Sequence, residues 1–317
     1  MNLITLQLRS ILDSFRDTIK VIRYFNMLRN NNFLIIIKIF IIKFFFSKAF
    51  IRNFIKTNKK KIILNEIFFK ENNQDIYKLT NQVDQNGYSE ILTLKEKYIN
   101  EIKELIFKCE DLDIKKINNS INEIKKKTNE TEIEYYKRLE ELKISRVTGS
   151  INLNEKSVLK DLLTCQFLIQ FAKSYLNTNS ISVNASFFIS NPLKISETEK
   201  YSNAQYFHWD NDFTKFFKFY IYLSDVDEDS GPHIFIPGTH KKKKKIHKLS
   251  RLFDDKNIYS SYKEKKIFHG KKGSAFLVDS YGLHKGETPK NKPRLMLNIH
   301  YGRGKIFYSK NDMLIKI

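Results

Sequence analysis

The stretch FFKFYIYL (216–223) alternates, with Phe217, Phe219, Ile221 and Leu223 on one side and Lys218, Tyr220 and Tyr222 on the other. A period of two is that of a β-strand, whose successive side chains point to opposite faces. Two further segments read the same way. ISVNASFFIS (181–190) sets Val183, Ala185, Phe187 and Ile189 against Asn184, Ser186 and Ser190. RLMLNIHY (294–301) sets Leu295, Leu297 and Ile299 against Arg294, Asn298 and His300. Shorter runs near 204–209, 233–236 and 274–279 join them, separated by the turn signals SGP, PGT and KKG. Short strands with one apolar and one polar face predict a sandwich or jelly roll with a polar-lined interior. Inward-pointing Lys, Tyr, Arg, Asn and His need partners, which a bound ion and an anionic ligand would supply.

Upstream the pattern is helical. KEKYINEIKELIFKCEDL (95–112) places Ile99, Ile102, Leu105 and Ile106 on one stripe. SINEIKKKTNETEIEYYKRLEELK (120–143) is charge-laced, as a solvated helix pair would be, and SVLKDLLTCQFLIQFAKSYL (157–176) is apolar enough to pack directly on the next element. The first 60 residues differ again. FLIIIKIFIIKFFF (33–46) is interrupted by Lys38 and Lys43 and followed by Lys48, Arg52 and the run Lys59 to Lys61. A spanning helix needs about 20 mostly apolar residues, and a lysine near its centre costs roughly 3 kcal/mol. Two readings stay open: a helix packed on the catalytic domain, or one lying in a membrane interface with its lysines at the headgroups. The expected architecture is α+β. A basic apolar segment (1–60) and a mainly helical region (61–178) precede and buttress a double-stranded β-helix, a cupin-like jelly roll, at 179–317.

Lys and Arg number 56 against 35 Asp and Glu, a net charge of +21. Such an excess suits phosphate-bearing partners, but no basic helix or RNA-binding signature accompanies it, which speaks against nucleic acid. Abundant Lys, Ile, Asn and Phe are also what an AT-rich coding sequence supplies. Lys241 to Lys245 follow the PGTH turn at once, a place from which they could attract an anionic substrate or a phospholipid surface, or simply form a solvated loop. Cys109 and Cys165 are too few and too far apart for a disulfide framework or a zinc site. The opening MNLITLQLRSILDSFRD has none of the parts of a secretory signal. A cytoplasmic protein is expected, with peripheral contact to the inner membrane face left open.

All seven histidines fall between 208 and 300. His208-Trp209-Asp210 is an H-x-D, whose imidazole and carboxylate share one side of a strand. Such a match is common by chance, but here the context is specific. AFLVDSYGLH ends a strand with His284, and Arg294 opens the next strand ten residues beyond it. Two histidines and one carboxylate on one face of iron(II) leave three adjacent positions. 2-Oxoglutarate can fill two of them and dioxygen one. The C5 carboxylate of that cosubstrate needs a buried cation, and arginine binds carboxylates bidentately without losing its charge.

Residues 204–301 resemble the phytanoyl-CoA dioxygenase family of iron(II)/2-oxoglutarate oxygenases. AQYFHWDND resembles its first metal-ligand strand, KFYIYLSDVDEDSGPHIFIPGTHK its following strand and turns, and GSAFLVDSYGLHKGETPKNKPRLMLNIHY its distal histidine and arginine strands. The resemblance implies that His208, Asp210 and His284 bind iron(II), and that Arg294 holds 2-oxoglutarate with Tyr220 and Lys218 as further candidate contacts. Gly286 stands where some members have a hydroxyl residue that helps bind the cosubstrate. His233 and His240 read as structural members of their turns. Related halogenases lack the carboxylate that Asp210 supplies, so hydroxylation of a small molecule, lipid-linked, nucleotide-linked or saccharide-linked, is the expected reaction. The competing readings are a metal-binding relative with other chemistry and a non-catalytic protein that binds anionic membrane or nucleic acid through charge. The sequence does not address oligomeric state.

Overall fold

A computed structural model describes residues 52, 57, 63–65, 68–69, 73–112, 121–153, 156–210, 212, 215–244, 246–249, 252–303 and 313–316. The apolar run 33–46, the lysines at 59–61 and Lys245 lie outside the described residues. The chain begins with β1 (Ile63–Asn65), β2 (Asn73–Asp75), α1 (Ile76–Asn86), β3 (Leu92–Thr93), α2 (Glu96–Phe107), α3 (Ile121–Ile124) and α4 (Glu132–Glu141). It continues through β4 (Arg146–Ile151), α5 (Val158–Leu163), α6 (Gln166–Leu176), β5 (Ser180–Ser190), α7 (Glu197–Ser202), β6 (Phe207–His208), β7 (Phe216–Tyr222) and β8 (His233–Phe235). It ends with α8 (Ile246–Leu249), β9 (Leu252–Phe253), α9 (Asp255–Ser261), β10 (Lys266–Phe268), β11 (Ser274–Val278), β12 (His284–Gly286), β13 (Arg294–Arg303) and β14 (Met313–Lys316).

Two antiparallel sheets form the expected jelly roll. The larger runs β14-β5-β13-β7-β11-β3, and the smaller runs β10-β8-β12-β6-β9. β4 and β14 share one edge of β5, at Ala185–Ser190 and Ser180–Val183 respectively, while β13 takes the other edge along its whole length. Between the sheets lies an inner cluster drawn from both: Tyr220, Tyr222, Phe276, Val278 and Met296 from the larger, Phe235 and Phe268 from the smaller. The outer face of the larger sheet carries the apolar half of each alternating strand. Phe217, Phe219, Ile221, Leu295, Leu297, Ile299 and Val183 pack there with the helices in one large core.

The helices that buttress this face are locally encoded. Asp75 caps α1 by accepting from Lys78 N at 3.0 Å, and Gly87 ends it at φ +91°, where a Cβ would also collide with Phe235. Thr131 and Glu134 form a reciprocal capping box at the start of α4, as Ser196 and Glu199 do at α7. α6 buries Phe167, Phe171 and Tyr175, and Phe171 meets Phe217 edge-on at 4.9 Å. Tyr301 stacks on Phe217 and donates its hydroxyl to the Leu163 carbonyl at 2.9 Å.

Two local expectations are corrected. RVTGSI (146–151), inside the stretch read as helical, is strand β4, with Val147, Gly149 and Ile151 buried in alternation. Docking on the free edge of β5 decides its conformation, and Gly149 lets Phe187 lie where a Cβ would stand. The strand before His284 also ends early. β11 stops at Val278, residues 279–283 turn, and His284 opens β12 in the other sheet. The turn is held by Asp279, which is fully buried and takes the Arg52 guanidinium and the Tyr175 hydroxyl on its carboxylate. The Gly282 N–H closes the turn by donating to the Asp279 carbonyl at 2.9 Å. No helix among the described residues is long and apolar enough to cross a membrane.

Candidate active site

His208 ends β6 and His284 opens β12, and the two are direct cross-strand partners in the smaller sheet. Alternation turns Trp209 outward into an apolar cluster with Ile234 and Leu283 and returns Asp210 to the His208 side. The Asp210 N–H donates to the Ser280 carbonyl at 2.9 Å, tying this residue to the turn that precedes His284. The ligand atoms of His208, Asp210 and His284 all lie within 4.8 Å of one another. Asp210 Oδ1 is 3.9 Å from His208 Nε2, and Oδ2 is 3.6 Å from His284 Nε2.

Both imidazoles are oriented by the backbone. His208 Nδ1–H donates to the Tyr206 carbonyl and His284 Nδ1–H to the Gly282 carbonyl, each at 2.9 Å. A proton fixed on Nδ1 leaves the Nε2 lone pair for an ion, the usual way a protein sets the tautomer of a metal-ligating histidine. Burial, reinforced by the neighbouring His208, pushes His284 down to about 3 against the pull of Asp210. The ring is therefore neutral, as a ligand must be. Burial alone would raise the Asp210 carboxyl, but Lys218, by its charge and its hydrogen bond, holds it well below the usual carboxylate range.

The inward face of the larger sheet supplies the rest. Lys218 Nζ sits 2.6 Å from Asp210 Oδ2. Burial opposes its charge, yet Asp210 more than compensates and raises the ammonium above its ordinary value. Lys218 is thus at the ion end, on the carboxylate of a candidate ligand. His300, its partner on β13, is 3.7 Å from Asp212. Tyr220, two residues on, is pushed up to about 12 by burial, and its ring centroid is 4.8 Å from that of His233. Arg294 opens β13 at the far end. It is 4 % exposed, and its Nε and Nη1 have no hydrogen-bond partner among the described residues. An ideal Cβ built on Gly286 would stand 2.9 Å from Arg294 Nη2, so the absent side chain at 286 makes room for the guanidinium.

Among the described residues, His208, Asp210 and His284 form the one group that could hold a metal ion. Their donor set, two neutral imidazole nitrogens and one carboxylate, suits iron(II). Buried Arg294, with Nε and Nη1 unpartnered among the described residues, suits a carboxylate. The residues present therefore fit both an iron ion and a dicarboxylic keto acid.

His233, read from the sequence as a structural turn residue, stands beside these groups. It lies on β8, 2 % exposed, with its ring 5.4 Å from that of His284 and its Nε2 unpartnered among the described residues. The signal was its register: positions 233 and 235 face inward, and Phe235 occupies the second of them. His240 is a wall residue that meets the Asp84 carbonyl through Nε2 at 3.0 Å. The lysine run is only partly free. Lys243 is 6 % exposed with Nζ 3.6 Å from the Tyr281 ring centroid, and Lys241 reaches Asp84 at 3.4 Å, while Lys242 and Lys244 are exposed. Cys165 is buried and Cys109 half-buried, both as free thiols.

A jelly roll with two imidazoles and a carboxylate converging between its sheets defines the class of cupin-like metal proteins. The family model for Phytanoyl-CoA dioxygenase (PhyH) matches residues 101–294, more than half of the 317, and the chain belongs to that family. Among curated proteins no relative matches. Solved structures with a similar fold include HygX from Streptomyces hygroscopicus with nickel, 2-oxoglutarate and hygromycin B bound. It is 11 % identical, with 73 % of this chain and 88 % of that chain covered and a TM-score of 0.48. AviO1 from Streptomyces viridochromogenes is 14 % identical, covering 73 % of this chain and 96 % of its own, with a TM-score of 0.45. EctD from S. alaskensis with bound Fe is 12 % identical, covering 78 % and 83 %, with a TM-score of 0.45.

Proposed function

We propose that the protein is an iron(II)- and 2-oxoglutarate-dependent oxygenase that hydroxylates a small molecule. The observation that carries this reading is a pairing. Three ligand atoms converge at one end of the interior, and a buried guanidinium with spare donors lies at the other. His208, Asp210 and His284 would hold the iron, and Arg294 the C5 carboxylate of the cosubstrate. Bound there, iron(II) with 2-oxoglutarate activates dioxygen, so that one oxygen atom enters a substrate C–H bond and the other leaves in succinate as carbon dioxide is released.

The chain's own part is positioning and exclusion of water. Lys218 takes one oxygen of Asp210 and leaves the carboxylate to offer the other to the ion. The backbone carbonyls of Tyr206 and Gly282 hold both imidazoles in the ligating tautomer. Tyr220 lies between Lys218 and Arg294 in sheet register and lines the cosubstrate's path, with Phe276, Phe268 and Met296 forming an apolar wall around it. Asp210 would take, as a ligand, the place that a halide would need, which favours hydroxylation over halogenation. Exposed Lys242 and Lys244 beside the site's turn favour an anionic substrate.

The test is incubation of the iron-loaded protein with 2-oxoglutarate, labelled dioxygen and a panel of anionic small molecules, read by mass spectrometry. The account expects one labelled oxygen in the product and one in succinate, both lost without 2-oxoglutarate. A halide-containing product, or turnover indifferent to 2-oxoglutarate, would contradict it.

A further inference from the structure

Position 286 has no side chain, and the Arg294 guanidinium lies against the space one would fill. Any added carbon there would crowd the Arg294 guanidinium, at 2.9 Å from Nη2 and 3.6 Å from Nη1. Directly across the strand pair from Gly286 stands His233, its Cα about 5 Å away, as in antiparallel partners generally. The imidazole points between the sheets. Its ring centroid is 4.8 Å from that of Tyr220, 5.4 Å from His284 and 5.7 Å from Phe268.

Three buried nitrogens therefore border the space around Gly286 without a partner among the described residues: Nε and Nη1 of Arg294, and Nε2 of His233. Buried polar atoms are nearly always satisfied in a working protein, so orphans that cluster point to a ligand that satisfies them together. A carboxylate has lone pairs for about four donors, and an arginine fork uses only some of them. The imidazole of His233 has an N–H to give.

We propose that His233, across the strand pair from Gly286, is a cosubstrate-binding residue whose Nε2–H donates to the C5 carboxylate of the 2-oxoglutarate held by Arg294. This rests on the oxygenase reading above. The glycine leaves space for the guanidinium, and the histidine opposite faces the same space. The arrangement makes the site selective for keto acids with a distal carboxylate.

The experiment is calorimetric titration of manganese(II)-loaded protein, which does not turn over, with 2-oxoglutarate and separately with 2-oxobutyrate. The second ligand has the same keto-acid chelate and no distal carboxylate. Loss of one hydrogen bond to a charged group in His233→Leu is expected to weaken 2-oxoglutarate roughly tenfold and to leave 2-oxobutyrate within about twofold. His233→Gln keeps an N–H of similar reach and is expected to bind 2-oxoglutarate within about threefold of wild type. Should the leucine variant fail to fold, His233→Asn, whose amide is one carbon shorter, is read in its place. A leucine variant that binds 2-oxoglutarate as tightly as wild type overturns the inference, and so does an equal loss for both keto acids, which would assign the effect to packing. If wild-type protein binds neither keto acid, the oxygenase reading itself fails and takes this inference with it.

Discussion

At the ion end of the interior every charge has an answer: Asp210 meets Lys218 at 2.6 Å, and both imidazoles donate to backbone carbonyls. At the far end Arg294 is as deeply buried, yet two of its donors meet nothing among the described residues, and His233 shares that condition. The strand places these ends apart, since Lys218 pairs with His300, the third inward-facing residue after Arg294. A balanced group costs little to keep in the empty protein, whereas an uncompensated buried cation costs much and is retained for what binds it. The ion end is thus preassembled, and the far end is completed by its ligand.

Breaking the far end is expected to give the largest effect. Arg294→Met should lower 2-oxoglutarate affinity by about a hundredfold to a thousandfold, the usual consequence of removing one member of a buried charge pair. Manganese(II) affinity, measured by calorimetry without keto acid, should not move. The variant should also melt above wild type when neither ligand is present, because a stranded charge has been replaced by an apolar side chain of similar volume. A lower melting temperature would show that Arg294 is already satisfied in the unliganded protein.

Breaking the ion end should do the reverse. Lys218→Met removes the hydrogen bond that orients Asp210 and is expected to weaken manganese(II) binding by roughly tenfold to a hundredfold, the range for partners of metal ligands. Keto-acid affinity at saturating metal should change much less. Equal losses in both measurements would merge the two ends into one unit. The smallest effect is expected from Gly286→Ala. Its Cβ would press on Arg294 Nη2, and displacement of the fork should cost about fivefold in 2-oxoglutarate affinity. Unchanged binding there would show that the guanidinium has room to spare.

Much of this was legible in the sequence because it is periodic. The alternation in 181–190, 216–223 and 294–301 separated the face that packs on the helices from the face that lines the interior, and the structure keeps that division. H-x-D, His284 and Arg294 could be singled out by their order and spacing, and the structure brings His208, Asp210 and His284 together. What escaped has no local signature. RVTGSI reads as nothing in particular until the free edge of β5 is in place. The turn at 279–283 depends on Arg52 and Tyr175 reaching one carboxylate from far along the chain. His233 read as a turn residue, and its place opposite Gly286 could not be read because pairing register is not written in one strand alone. Lysines 241 to 244 read as a solvated run, yet Lys243 folds back over Tyr281, an aromatic contact between residues distant in sequence.

The central claim is that one ion and one keto acid bind together between the two ends. Anaerobic titration of the metal-free protein with iron(II) and 2-oxoglutarate, followed by visible absorbance in wild type and His208→Ala, tests it most directly. The account predicts a charge-transfer band that needs both additions and is lost in the variant. A folded, iron-loaded wild type that shows no band with 2-oxoglutarate, or a band that survives in His208→Ala, would contradict it.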